Sequence, residues 1–126
     1  MVGYRWLATD TWSGSLATST NGKDPCVALG AGWRMPSATD WQNLKNHEDL
    51  EGVMAAFQSN LKLTGSGFRD SYGGFVFQNG DNSNYWSSSA GDNSYATVLA
   101  IDNNTYSAVL QASERGQGYN CRCVKD

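Results

Sequence analysis

The chain has 126 residues, which is one domain by length, and 40% hydrophobic and 12% aromatic content supplies one core and excludes a disordered polypeptide. Only 17% is charged, the net charge is -3, and the nine Lys and Arg are scattered without a basic stripe, which excludes nucleic acid as a partner. Apolar runs are a few residues long, far short of the roughly 20 needed to span a membrane. Gly, Ser and Asn fill the remainder, a composition of loops and short strands.

The start, Met1-Val2-Gly3-Tyr4-Arg5-Trp6, lacks a basic region followed by an apolar stretch. It does not read as a signal peptide, so the chain is either cytoplasmic or a piece of a longer exported one. Residues 1–63 carry the helical signals. Ser37-Ala38-Thr39-Asp40 follows Pro36 and predicts a capped helix start, with Trp41 and Leu44 on one face. Leu50, Val53, Met54, Phe57 and Leu61 fall at helical spacing and predict a second helix, buried along that stripe and ending near Asn60 before Gly65-Ser66-Gly67.

Residues 64–126 carry period-two signals. Strands are expected over 74–78, 84–88, 95–101, 105–111 and 119–124. Asp102-Asn103-Asn104 marks a hairpin turn, because Asn tolerates positive φ. Gly80-Asp81-Asn82-Ser83 recurs as Gly91-Asp92-Asn93-Ser94 and reads as loop chemistry. Helices followed by a run of antiparallel strands is the α+β pattern.

Chemistry is sparse. His47 is the single histidine, in a polar stretch with no nucleophile or oriented acid beside it, and reads as a surface residue. The Asp81, Asn82, Asn84 and Asp92, Asn93 clusters lack calcium-loop spacing and read as turn formers. Asn103-Asn104-Thr105 fits the N-glycosylation pattern, which chance often produces. No metal or cofactor is expected. Trp33, Trp41 and Trp86 are expected in the core and Trp12 outside it.

Cys26, Cys121 and Cys123 allow one bridge and one thiol in an exported protein, or three thiols in a reducing compartment. Residues 121 and 123 of a strand share a face, so only one of them pairs comfortably with Cys26. From 79 to 120 the chain is rich in Asn, Ser and Tyr, which supply adaptable hydrogen bonds and rigid contact area, as in binding loops.

Several motifs then form a recognisable series. Cys26, Gly32-Trp33-Arg34-Met35-Pro36-Ser37, Trp41 and Leu44 resemble the C-x(n)-GWRLPT-x-x-EW-x-x-L stretch of the Fibrobacter succinogenes major paralogous domain family. Tyr85-Trp86-Ser87-Ser88-Ser89 is similar to that family's YWSSS strand, Tyr95-Ala96 to the YA after it, and Arg122-Cys123-Val124-Lys125-Asp126 to its closing VRCVKD. Arg5-Trp6 matches its Y-x-W, so the resemblance covers residues 4–126 as one domain, 1–126.

The resemblance implies a C-type-lectin-like fold related to the formylglycine-generating enzymes, with two helices packed on a twisted, mainly antiparallel sheet and the termini close together. It implies a secreted or surface-displayed bacterial protein and a Cys26–Cys123 bridge. Some features depart from the family. The family has a strand segment before residue 1, and Cys121 stands where it has an apolar residue. The calcium-and-sugar motifs of lectins and the active-site cysteine setting of the enzymes are absent.

The Asn/Asp/Ser/Tyr scatter also resembles the variable proteins of diversity-generating retroelements, which share this fold and diversify C-terminal positions. The reading that results is a non-enzymatic recognition module, outside the cell, on its surface or on a phage particle. It would bind a protein or glycan, as in adhesion, through Asn82, Asn84, Asp92, Asn93, Ser94, Asn103, Asn104, Tyr106, Tyr119 and Asn120. The alternative is an assembly domain at the tip of a fimbrial or surface protein. An enzyme of the formylglycine-generating type is rejected; a third reading, an enzyme using Cys121 or Cys123 as nucleophile, requires a thiol of lowered pKa.

Overall fold

A computed structural model describes residues 24–69, 76–77, 80–90, 95–114 and 116–126. It is an α+β arrangement of two helices and three antiparallel sheets. A 3-10 turn, Pro25–Leu29, leads into strand β1 (Trp33–Arg34) and helix α1 (Ala38–His47). Helix α2 (Val53–Gln58), β2 (Phe68–Arg69), β3 (Val76–Phe77), β4 (Asn82–Ala90), β5 (Tyr95–Asp102), β6 (Ser107–Glu114) and β7 (Val124–Lys125) follow. The main sheet has the order β4-β5-β6, and the pairs β2-β3 and β1-β7 flank it.

The expected first helix is present, and its start follows from local chemistry. Ser37 accepts from the Asp40 backbone N–H, and the Asp40 carboxylate accepts from the Ser37 N–H, so two orphan donors are satisfied together. Arg34 bridges Asp40 to Asp126, which joins the helix start to the last residue of the chain.

The second helix differs from its expected pattern. It spans only Val53–Gln58, and Met54 and Phe57 are exposed by 63% and 53% rather than buried. The reason is Gly52, at φ 110, which breaks the chain between Leu50 and the helix. Leu50 is buried outside the helix, and the helical phase is then set by Val53 and Ala56, which turn Met54 and Phe57 outward. Ser59 ends the helix by donating to the Ala56 carbonyl. The following loop passes so close that a Cβ on Gly65 would lie 2.3 Å from the Val53 methyl Cγ1, so only glycine fits there.

Three strand expectations are also corrected. The strand expected at 84–88 is longer, Asn82–Ala90. The strand expected at 105–111 starts at Ser107, because 103–106 form the turn. Of the strand expected at 119–124 only Val124 belongs to a ladder, while Gly118 and Asn120 make isolated bridges to Arg69 and Tyr85. Of the strand expected at 74–78, Val76 and Phe77 are described. Trp12 and Arg5-Trp6 lie outside the described residues.

Strand alternation gives the main sheet two apolar faces. Tyr85, Leu99, Ile101 and Ala108 face the helices with Trp41, Leu50, Ala56 and Leu63. Trp86, Ala96 and Val98 face the other way, against Cys26 and Met35, with Tyr119 and Cys123 packed beside them. Adjacent Tyr85 and Trp86 therefore serve opposite cores. Trp33 is half-buried near Lys125 rather than central to either.

The second core is held by a covalent tie. Cys26 and Cys123 form a disulfide with Cα atoms 5.5 Å apart, and Cys121 is left as a thiol. Closing a loop with a sequence separation of 97 stabilises the fold by about 4–5 kcal/mol in the chain-entropy description. Buried Asp24 fixes the same corner by accepting from the N–H groups of Cys26 and Met35. No helix among the described residues is long and apolar enough to cross a membrane.

Candidate functional site

The seven sequence-predicted contact residues that lie among the described residues do not form one surface. They separate into two groups along the sheet. The first lies at the end where β5 turns into β6. Asp102 Oδ1 accepts from the N–H groups of Asn104, at 2.7 Å, and Thr105, at 3.3 Å, which fixes the turn. Asn103 donates its N–H to the Asp81 carbonyl, so the turn is anchored to the entry of β4 beside Asn82. Thr105 and Ser107 hydroxyls meet at 2.7 Å and close it on the other side.

Tyr106 completes this turn in the left-handed region, at φ 49, and is 70% exposed. A large aromatic residue seldom occupies that conformation, which costs on the order of 1 kcal/mol. Its neighbour explains how the ring is seated. A Cβ on Gly52 would lie 3.4 Å from Tyr106 Cδ1 and 3.8 Å from Asn103 Oδ1, so the bare backbone at 52 receives both residues. The sequence alone gave no sign of this role for Gly52.

The rim of this end is polar and acidic. Glu51, Asp81, Asn104 and Thr105 are exposed, and Asn82, Asp102 and Asn103 are half-buried. Segments 49–54, 80–82 and 102–107 contain no Lys or Arg. The arrangement offers an aromatic face, amides and carboxylates on a fixed turn. Such groups accept hydrogen bonds from hydroxyl and amine donors and stack against an apolar ring face.

The second group is internal. Asn84 is buried and donates to Asn82 Oδ1 at 2.7 Å. Asn120 donates to Ser83 Oγ and accepts from Ser66 Oγ, while its backbone bonds to Asn84 and Trp86. Tyr119 packs its ring on Trp86 and Phe68, and its hydroxyl meets Ser113 Oγ at 2.7 Å. Asn84, Tyr119 and Asn120 are thus occupied in joining the last segment to β4. Asp92, Asn93 and Ser94 lie outside the described residues.

Two reactive groups also have definite places. His47 is exposed at the last residue of α1. Cys121 keeps solvent contact as a residue, but enclosure of its sulfur, followed by the nearby Asp24 charge, pushes the thiol up to about 11. That is opposite to the shift a cysteine nucleophile needs. Among the described residues no group of three or more His, Cys, Asp or Glu is placed to hold a metal ion.

No protein-family model, curated protein or solved structure matches this chain.

Proposed function

We propose that this chain is a non-enzymatic recognition module of C-type-lectin-like kind, working outside the cell or on its surface. Its contact surface is the end of the sheet formed by Asn103, Asn104, Tyr106 and Asp81, with the Tyr106 ring seated on buried Gly52. The observation that carries the reading is Tyr106. It is an exposed aromatic held at positive φ in a turn pinned by the Asp102 carboxylate and the Asp81 carbonyl. Strain kept at an exposed residue points to contact with a partner, because folding alone would favour Gly or Asn there.

The ligand is a protein or glycan that presents hydroxyl or amine donors to the acidic rim and an apolar face to the ring. The disulfide supports a non-reducing compartment. Two helices on an antiparallel sheet, with β1 and β7 paired, support the lectin-like assignment. If the positions vary as in retroelement variable proteins, Asn104 and Tyr106 are free to change, while Asn84, Tyr119 and Asn120 are constrained by packing.

The test is a binding screen of the disulfide-bonded chain against arrayed glycans and intact bacterial surfaces, beside the Asn104→Ala/Tyr106→Ala variant. Loss of the bound signal with an unchanged circular dichroism spectrum is expected. Equal signals from both proteins refute the placement of the site.

A further inference from the structure

The two edges of the main sheet are treated in opposite ways. The outer edge of β4 is covered along its length. Gly67 donates to the Asn82 carbonyl, Asn120 donates to the Asn84 carbonyl and accepts from the Trp86 N–H, and Ser88 donates to the Pro36 carbonyl. The outer edge of β6 pairs with no described residue. In an antiparallel ladder alternate residues of such a strand aim both N–H and C=O outward, ready for another strand.

The usual devices that blunt an edge are missing from β6. It runs in unbroken register with β5 over eight pairs, from Asp102↔Ser107 to Tyr95↔Glu114, without a bulge. Residues 107–113 contain no charge and no Pro. Val109 is 44% exposed, and Gln111 and Ala112 are exposed beside it.

We infer that β6 pairs antiparallel with β6 of a second copy of this chain, making a continuous six-stranded sheet about a two-fold axis. This inference does not rest on the ligand reading above. A two-fold axis normal to the sheet keeps the helix-facing residues of both copies on one side, so partners must share parity. Centring it on Leu110 sets Leu110 against its copy, Ala108 against Ala112, Val109 against Gln111 and Ser107 against Ser113.

The strand suits that self-pairing. Small residues meet small residues, and Leu110, which already packs at the border of the helix-side core, continues that core across the axis. The strand's one charge, Glu114, falls opposite Tyr106 of the copy and never opposite itself. No like charges oppose each other, the condition an isologous contact must meet.

Sedimentation equilibrium of the disulfide-bonded chain over about a hundredfold dilution series tests this. The wild type is expected to dimerise. Val109→Lys/Gln111→Lys opposes Lys to Lys at two symmetric sites and is expected to weaken the dimer about tenfold or more. Val109→Lys/Gln111→Glu opposes Lys to Glu at the same two sites and is expected to restore it. Both side chains changed are exposed, and circular dichroism confirms that each variant is folded. A wild type monomeric throughout the series overturns the inference and leaves the edge to residues 1–23 or to a foreign strand. A dimer unmoved by the two lysines overturns it as well.

Discussion

The indole Nε1–H of Trp41 donates to the backbone carbonyl of Trp86 at 3.2 Å, and so links the helix-side core to the strand whose next ring belongs to the opposite core. Trp41 is fully buried and lies against the Tyr85 ring at 5.8 Å. One side chain thereby fixes the distance between α1 and β4.

Trp41→Phe keeps an aromatic ring but removes the donor and part of the volume. The expected loss is about 1–3 kcal/mol of stability. Urea unfolding measures it, and an unchanged midpoint would show that α1 is held without this bond.

Asp40 carries both the capping box and the Arg34 ion pair. The Arg34 guanidinium, opposed by partial burial and aided by the Ser37 donors, holds its carboxyl below the ordinary value of 3.8. A depressed folded value means the contribution is present above the unfolded value and lost as pH falls through the lower folded one. Asp40→Asn is expected to cost about 1 kcal/mol at neutral pH, typical of a lost cap. The gap between variant and wild type narrows below about pH 4, and melts at pH 7 and pH 3 check this.

Cys121 is expected to resist alkylation. With its thiol at about 11, the thiolate fraction at pH 8 is about a thousandth, against about a quarter for an ordinary thiol. Alkylation by iodoacetamide should stay slow through pH 8 and rise toward pH 11. Removing the Asp24 charge by Asp24→Asn should move the profile to lower pH, provided that the variant folds. A fast reaction at pH 7 would contradict the enclosure of the sulfur.

Local signals gave α1, the positions of β4, β5 and β6, and the tight β5–β6 turn, because caps, period-two patterning and Asn-rich turns act within a few residues. They misassigned Met54 and Phe57, since one glycine at φ 110 resets the helical phase, and that conformation is decided by what Gly52 packs against. The contact residues were legible only in part. Composition marks Asn84, Asn104, Tyr106 and Asn120 alike, but bonding partners distant in sequence, such as Ser66 and Ser83, separate the interior pair from the exposed pair.

The central claim is that Tyr106 is kept in its turn for contact and contributes little to folding. Urea unfolding of Tyr106→Gly against wild type tests it without a ligand. Relief of the left-handed strain should offset the lost packing on Gly52, leaving stability within about 1 kcal/mol of wild type. A loss of about 2 kcal/mol or more, the size of a buried aromatic's contribution, would make Tyr106 a packing residue and contradict the account.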